Sequence, residues 1–174
     1  MHEFDEQLRE LLPRLRRFAL SLTREPSSAD DLVQASLERA LTRWDGKHAD
    51  GDLRAWLFAI LYRQFVDQHR RGRRMARMLE LLTGRDDSQP SAERSVLAQS
   101  TLAAFERLGA EQRAVLYAVS VEGLSYKEVA QMLEVPIGTV MSRLSRARQA
   151  LRELSEGEIT RPGSQRPPLL RILK

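Results

Sequence analysis

The chain has 174 residues, 42% hydrophobic and 30% charged, enough apolar material for one ordinary core or two small helical ones and too polar for a membrane-embedded protein. With no cysteine it has no disulfide, thiolate nucleophile or cysteine-ligated zinc, which fits a reducing cytoplasm. A net charge of +4 is weak support for a nucleic-acid partner, so the distribution of charge has to decide.

The N-terminal MHEFDEQLRE is acidic and does not read as a signal peptide. Phe4, Leu8, Leu11, Leu15, Phe18 and Leu22 recur at spacings of three and four, the stripe of an amphipathic helix. Pro13 inside it predicts a kink or a helix restarting there. Residues 24–28, REPSS, predict a turn, and Ser28 with Asp31 has capping-box spacing for a second helix, placing Asp30 and Asp31 at its N-terminus. The inward stripe of that helix reads Leu32, Val33, Ser36, Leu37, Ala40, Leu41 and Trp44. Asp45 to Asp52 is a polar loop, and Asp52 can cap a helix from Leu53 to Arg71 whose core face is Trp56, Leu57, Ile60, Leu61 and Phe65. The apolar run Ala55 to Tyr62 is too short to span a bilayer and predicts a buried helix.

From Gly72 the pattern dissolves, and Thr83 to Ser95 reads as a linker. A second helical block follows, with breaks at Leu108-Gly109, Glu122-Gly123 and Val135 to Gly138. The expected fold is all-α: two small helical domains joined by a flexible linker, the second containing a helix-turn-helix. Their bounds are 1–78, a linker 79–96, 97–156, and a mobile basic and proline-containing tail 157–174.

The break at Val135 to Gly138 separates two helices of different character. Ser125 and Glu128 have capping-box spacing, Val129 and Leu133 point inward, and Ala130 is small where two helices cross closely. Pro136 cannot continue that helix but can start the next. In the next helix Val140, Leu144, Ala147 and Leu151 form a narrow stripe. Ser142, Ser145, Arg146 and Gln149 lie opposite, with Arg143 on one flank and Met141 and Arg148 on the other. Four arginines and no acid lie between Ile137 and Arg152, a face suited to the major groove, with Arg152 placed to meet phosphate. A second basic cluster, Arg63, Arg70, Arg71, Arg73, Arg74 and Arg77, lies near Trp56, Phe58 and Tyr62. Aromatic faces beside cations can hold single-stranded bases, although aromatics at this spacing are more often core.

The segments ADDLVQASLERAL, LRAWLFAILYRQFVDQHRR and LGAEQRAVLYAVSVEGLSYKEVAQMLEVPIGTVMSRLSRARQALREL resemble, in order and spacing, the two domains of an extracytoplasmic-function (ECF) sigma factor. The resemblance covers about residues 14 to 154 and implies a bacterial subunit that directs core RNA polymerase to promoters. It places polymerase binding on Asp30, Asp31, Leu32, Gln34 and Glu38, and −10 recognition on the 45–52 loop with His48, Arg63, Gln64, Asp67, Arg70 and Arg71. Recognition of the −35 element falls on Thr139, Met141, Ser142, Arg143, Ser145, Arg146 and Gln149. Three positions depart from the family pattern. Ala35 replaces an acid, Gln64 a common Asn, and Met141 a frequent Lys or Arg. The implied partners are core polymerase, through its β′ coiled coil and β flap, promoter DNA and an anti-sigma factor. The soft joint at Thr83 to Ser95 predicts that an anti-sigma domain locks the two blocks together and hides both DNA faces. No membrane insertion and no small-molecule substrate are implied.

Other readings are a stand-alone helix-turn-helix regulator and a sigma-mimic that titrates an anti-sigma factor. An enzyme is not expected, and neither a cofactor nor a metal: His2, His48 and His69 are scattered and no phosphate-cradling glycine loop occurs.

Overall fold

The chain's computed structural model describes residues 2–44, 52–83 and 101–159, with side chains for 5–44, 52–78 and 102–156. The described elements are all helical. Helix α1 (His2–Thr23) buries Leu11, Leu15, Phe18 and Leu22 as its periodicity predicts, with Leu8 half-buried; the side chain of Phe4 lies outside the described residues. It runs through Pro13 without restarting. Pro13 and Arg9 are both exposed, so water can satisfy the Arg9 carbonyl that proline leaves without a donor.

Helix α2 (Pro26–Thr42) begins earlier than the sequence pattern predicts. Arg24 turns the chain at φ 63°, Glu25 is the N-cap, and Pro26 takes the first helical position. The Glu25 carboxylate accepts from the backbone N–H of Ser27 at 2.8 Å and of Ser28 at 2.6 Å, so the expected Ser28–Asp31 box does not form. Asp30 and Asp31 therefore sit in the second turn, beyond the strongest part of the helix dipole. Leu32, Val33, Ser36 and Ala40 are buried and Leu37 is half-buried, whereas Leu41 and Trp44, expected inside, are exposed. Ser36 can occupy the core because its hydroxyl donates to the Leu32 carbonyl at 2.6 Å.

Helix α3 (Leu53–Thr83) is capped as expected, Asp52 Oδ1 accepting from the Arg54 N–H at 2.9 Å. It does not end at Arg71. The cost of Gly72, about 1 kcal/mol against alanine, is outweighed by the good helix formers Arg, Met, Ala and Leu that follow. Residues 79–83, expected as linker, are thus helical, and 84–100 lie outside the described residues. The buried face is Leu57, Phe58, Ala59, Ile60, Leu61 and Tyr62, which assigns Phe58 and Tyr62 to packing; Trp56 and Phe65 are half-buried.

Helices α4 (Thr101–Arg107) and α5 (Ala110–Leu116) follow, α5 widening into a π turn at Tyr117–Val121 that the Glu122 N–H closes on the Tyr117 carbonyl at 3.0 Å. Gly123, at φ 66°, reverses the chain into α6 (Tyr126–Leu133). Helix α7 (Ile137–Ile159) continues past the expected start of the tail at 157; residues 160–174 lie outside the described residues.

Helices α1–α3 form one packed unit and α4–α7 another, and the two touch. Phe18 stacks on Phe58 with ring centroids 4.9 Å apart and meets Tyr117 of α5 at 5.4 Å, so one apolar core runs through both. No helix among the described residues is long and apolar enough to cross a membrane, and these residues hold no metal-binding cluster.

The cap of α2 carries a pH dependence. Hydrogen bonds from the Ser28 and Ser27 N–H groups hold the Glu25 carboxyl below its ordinary value of 4.5. A carboxyl depressed in the folded state contributes stability that is present above that value and lost as pH falls through the folded one. Glu25→Gln should therefore flatten the fall in urea midpoint between pH 6 and pH values well below 4.5; parallel losses in variant and wild type would contradict this.

Candidate nucleic-acid interface

The second unit presents its reading helix through a tight turn. Ser125 Oγ accepts from the Glu128 N–H at 3.3 Å while Glu128 Oε2 accepts from the Ser125 N–H at 2.6 Å, the reciprocal box that the spacing predicts. At its other end α6 stops on Glu134 in the left-handed conformation, φ 55°, and the Val135 N–H returns to the Ala130 carbonyl at 3.0 Å. Pro136 lies just outside α7, its carbonyl accepting from Thr139 and Val140. Val129, Ala130 and Leu133 of α6 pack with Val140, Leu144, Ala147 and Leu151 of α7, all buried.

That packing fixes which face of α7 is left. Met141, Ser142, Ser145, Arg146 and Gln149 are exposed, and Thr139 and Arg143 are half-buried. Ser142 Oγ donates to the Thr139 carbonyl at 3.0 Å, Gln149 donates to Glu153 at 2.9 Å, and Arg143 lies 3.7 Å from Glu111. Arg146 has no ion pair or hydrogen bond among the described residues.

The first unit divides its candidate residues between surface and core. Asp30, Asp31, Gln34 and Glu38 are exposed along one side of α2, but Leu32 is fully buried and supports that side from beneath. Asp30 is held by Arg16 at 2.6 and 3.2 Å, which depresses its carboxyl, and Gln34 donates to Glu38 at 3.0 Å. Asp31 has no such partner among the described residues. On α3, Arg70 and Arg71 are exposed and Asp67 is half-buried. Gln64 donates to the Ala35 carbonyl at 3.5 Å, and Arg63 is paired with Glu134 of the turn at 2.9 Å. His48 and residues 45–51 lie outside the described residues.

Candidate residues of both units meet in one cleft of about 700 Å³, lined by Arg70, Arg143 and Arg146 together with Tyr62, Phe65 and Arg73. What places them there escaped the sequence. Arg113 of α5 is 5% exposed, and its guanidinium donates to Ser21 O at 2.5 Å, Leu22 O at 3.0 Å, Glu106 O at 3.5 Å and Leu108 O. One side chain thus satisfies carbonyls at the C-terminal ends of α1 and α4, where the helix dipole favours a cation. Burial, aided by Arg24, lowers its pKa to about 10, so it stays charged at neutral pH. The signal for it was an arginine one turn before the buried Leu116 and Tyr117.

Glu122 is a second junction. Its carboxylate, 2% exposed, pairs with Arg14 of α1 at 2.6 Å, and its carbonyl accepts from Arg54 of α3 at 2.8 Å.

The Sigma2 domain of PhyR matches residues 8–62, and the Sigma-70 region 4 family matches 98–151. Over 144 residues the chain is 36% identical to the ECF RNA polymerase sigma factor EcfG of Rhodopseudomonas palustris, covering 82% of this chain and 80% of that one. The chain belongs to the ECF sigma factor family. It is 35% identical over 157 residues to the ECF sigma factor SigL of Mycobacterium tuberculosis, covering 83% and 85% of the two chains. Its fold matches the sigma factor RpoE of Bartonella quintana, solved in complex with the anti-sigma factor NepR, with a TM-score of 0.72 at 34% identity, over 90% of this chain and 98% of that one. As an ECF sigma factor it directs core RNA polymerase to promoters and promotes initiation. The first matched segment runs from within α1 to Tyr62 in α3, and the second takes in α4 to α6 and α7 as far as Leu151.

Proposed function

We propose that this sigma factor reads the −35 element with the exposed face of α7 and the −10 element with α3 and the 45–52 loop, and binds the polymerase β′ coiled coil through α2. The observation that carries this reading is the division of α7. Its apolar stripe is consumed by packing on α4, α5 and α6, which leaves Thr139, Met141, Ser142, Arg143, Ser145, Arg146 and Gln149 as the face and flanks that remain. Arg146, exposed and free of other bonds among the described residues, fits bidentate contact to guanine, and Gln149 or the serines fit other base edges. Arg63, Gln64, Asp67, Arg70 and Arg71 are the −10 set on α3, with His48 on the loop before it. Of these Arg63 is engaged by Glu134, so it reaches DNA only when that pair opens. The domain bounds that go with this reading are 2–83 and 101–159, each a set of packed helices.

The exposed α2 side of Asp30, Asp31, Gln34 and Glu38 is the polymerase-facing surface, a second contact falls between region 4 and the β flap, and the protein works in the cytoplasm. Control by an anti-sigma factor is part of the proposal, supported by the likeness to the Bartonella sigma factor solved with NepR.

Two substitutions test the assignments. Arg146→Ala should weaken binding of a −35 duplex by about 1–3 kcal/mol and relax base choice at one position; equal loss on every sequence would mean a phosphate contact instead. Asp31→Lys should lower affinity for core polymerase, read by pull-down titration, and leave −35 duplex binding by the whole chain unchanged. Loss of both would assign the effect to folding.

A further inference from the structure

The reading helix carries an apolar edge that its packing does not use. Val140, Leu144, Ala147 and Leu151 are buried, whereas Ile137 is 46% and Met141 54% exposed, the two large apolar side chains of α7 left in solvent among its described residues. They stand four positions apart and so share one edge of the helix. Helical phase sets that edge apart from the side of Arg146. At about 100° per residue, Arg146 lies roughly 140° around the helix from Met141, while Ile137, Ser145, Arg148 and Arg152 fall within about 40° of it.

In space this edge adjoins α6. Tyr126, Met141, Leu144, Ser145, Arg148 and Arg152 line one hollow of about 300 Å³. Leu144 is buried at its floor, and the Tyr126 ring is partly exposed beside it. Arg148 Nε is buried without a hydrogen-bond partner among the described residues, and the exposed Arg152 forms neither an ion pair nor a hydrogen bond among them. The hollow thus joins an apolar patch to two guanidiniums with unused donors.

That pairing matches one feature of the major groove. Thymine is marked there by its 5-methyl group, which forms no hydrogen bond and is read by apolar contact. The methyl projects on the side of the groove nearest its own strand's phosphates, so an apolar side chain meets it when cations beside it face that backbone. Met141 has such neighbours in Arg148 and Arg152. Its unbranched, polarizable thioether adapts to an irregular apolar surface, and it offers neither a donor for guanine nor a charge for phosphate. At a position where the family resemblance puts lysine or arginine, this chain has therefore exchanged a cation for a methyl-binding surface.

We propose that Met141 is a specificity-determining residue that selects thymine at one position of the −35 element through contact with its methyl group, with Arg148 and Arg152 on the phosphates of the same strand. This rests on the reading of α7 as the −35 helix. It deepens that reading, since Arg146 selects by hydrogen bonding on one side of the exposed face and Met141 by excluding water at its edge. A cytosine at the same place offers only a hydrogen at C5 and an amino donor that finds no oxygen acceptor on Met141.

Full-length protein bound to core polymerase, offered promoters randomised across the −35 element, tests the assignment. Wild type should enrich thymine at one position, and Met141→Ala should lose that enrichment while keeping the preferences elsewhere in the element. Met141 is exposed, so its truncation leaves the core intact. On the selected promoter, deoxyuridine in place of that thymidine removes the methyl group alone. It should weaken wild-type binding about fourfold, the weight of one buried methyl, and leave binding by Met141→Ala unchanged. A wild type indifferent to the methyl, or a Met141→Ala protein that still responds to it, would overturn the proposal. Its failure is separable from failure of the α7 reading. No methyl effect, with Arg146→Ala still relaxing base choice, strikes Met141 alone; −35 preferences untouched by either substitution strike the assignment of α7.

Discussion

One buried guanidinium organises the chain's long-range geometry. Arg113 is charged and nearly without solvent, yet it forms no ion pair among the described residues; its compensation comes from backbone carbonyls at the ends of two helices. A buried unpaired charge is costly, and removing its acceptors by moving α1 away would expose that cost, unless water replaced them. The position of α5 is therefore set by where α1 and α4 end. From α5 the π turn delivers Glu122 to Arg14 and Arg54, and Gly123 then aims α6 and α7.

The family's task sets two opposed demands on such a seam. A sigma factor must present two reading surfaces to a long, asymmetric duplex, and a chain with one continuous apolar core holds those surfaces together. The junction combines both kinds of contact. Phe18 meets Tyr117 within an apolar cluster that runs through both units, and Arg113, Glu122, Arg54 and Arg63 add hydrogen bonds and ion pairs that water or a partner's groups can replace.

What could be read from the sequence was whatever its neighbours in sequence decide. The stripe Val140, Leu144, Ala147 and Leu151, the Ser125–Glu128 box and the Asp52 cap depend on residues within a turn or two, and each appears as its spacing predicts. At the start of α2 two capping signals overlap in the sequence, and Pro26 at the first helical position with the reach of the Glu25 carboxylate prevails over Ser28. At Gly72 the local pattern dissolves although α3 continues, because this glycine meets no tertiary obstacle and sits among strong helix formers. The helical phase of Leu32 points it inward, as its place in the apolar stripe predicts, so the family resemblance that groups it with Asp30, Asp31, Gln34 and Glu38 names a residue of the core beneath them. The seam was beyond reach: Arg54 and Glu122 meet across 68 positions, and no periodicity records such a pairing.

The central claim is that this chain supplies core polymerase with two promoter grips that must act at a distance from each other. Run-off transcription with purified core polymerase, on promoters whose spacer between the −35 and −10 elements is lengthened or shortened one base pair at a time, tests it directly. The account predicts initiation that requires the chain and falls steeply on either side of one preferred spacing. Initiation indifferent to the spacer, or unchanged when the chain is left out, would contradict it.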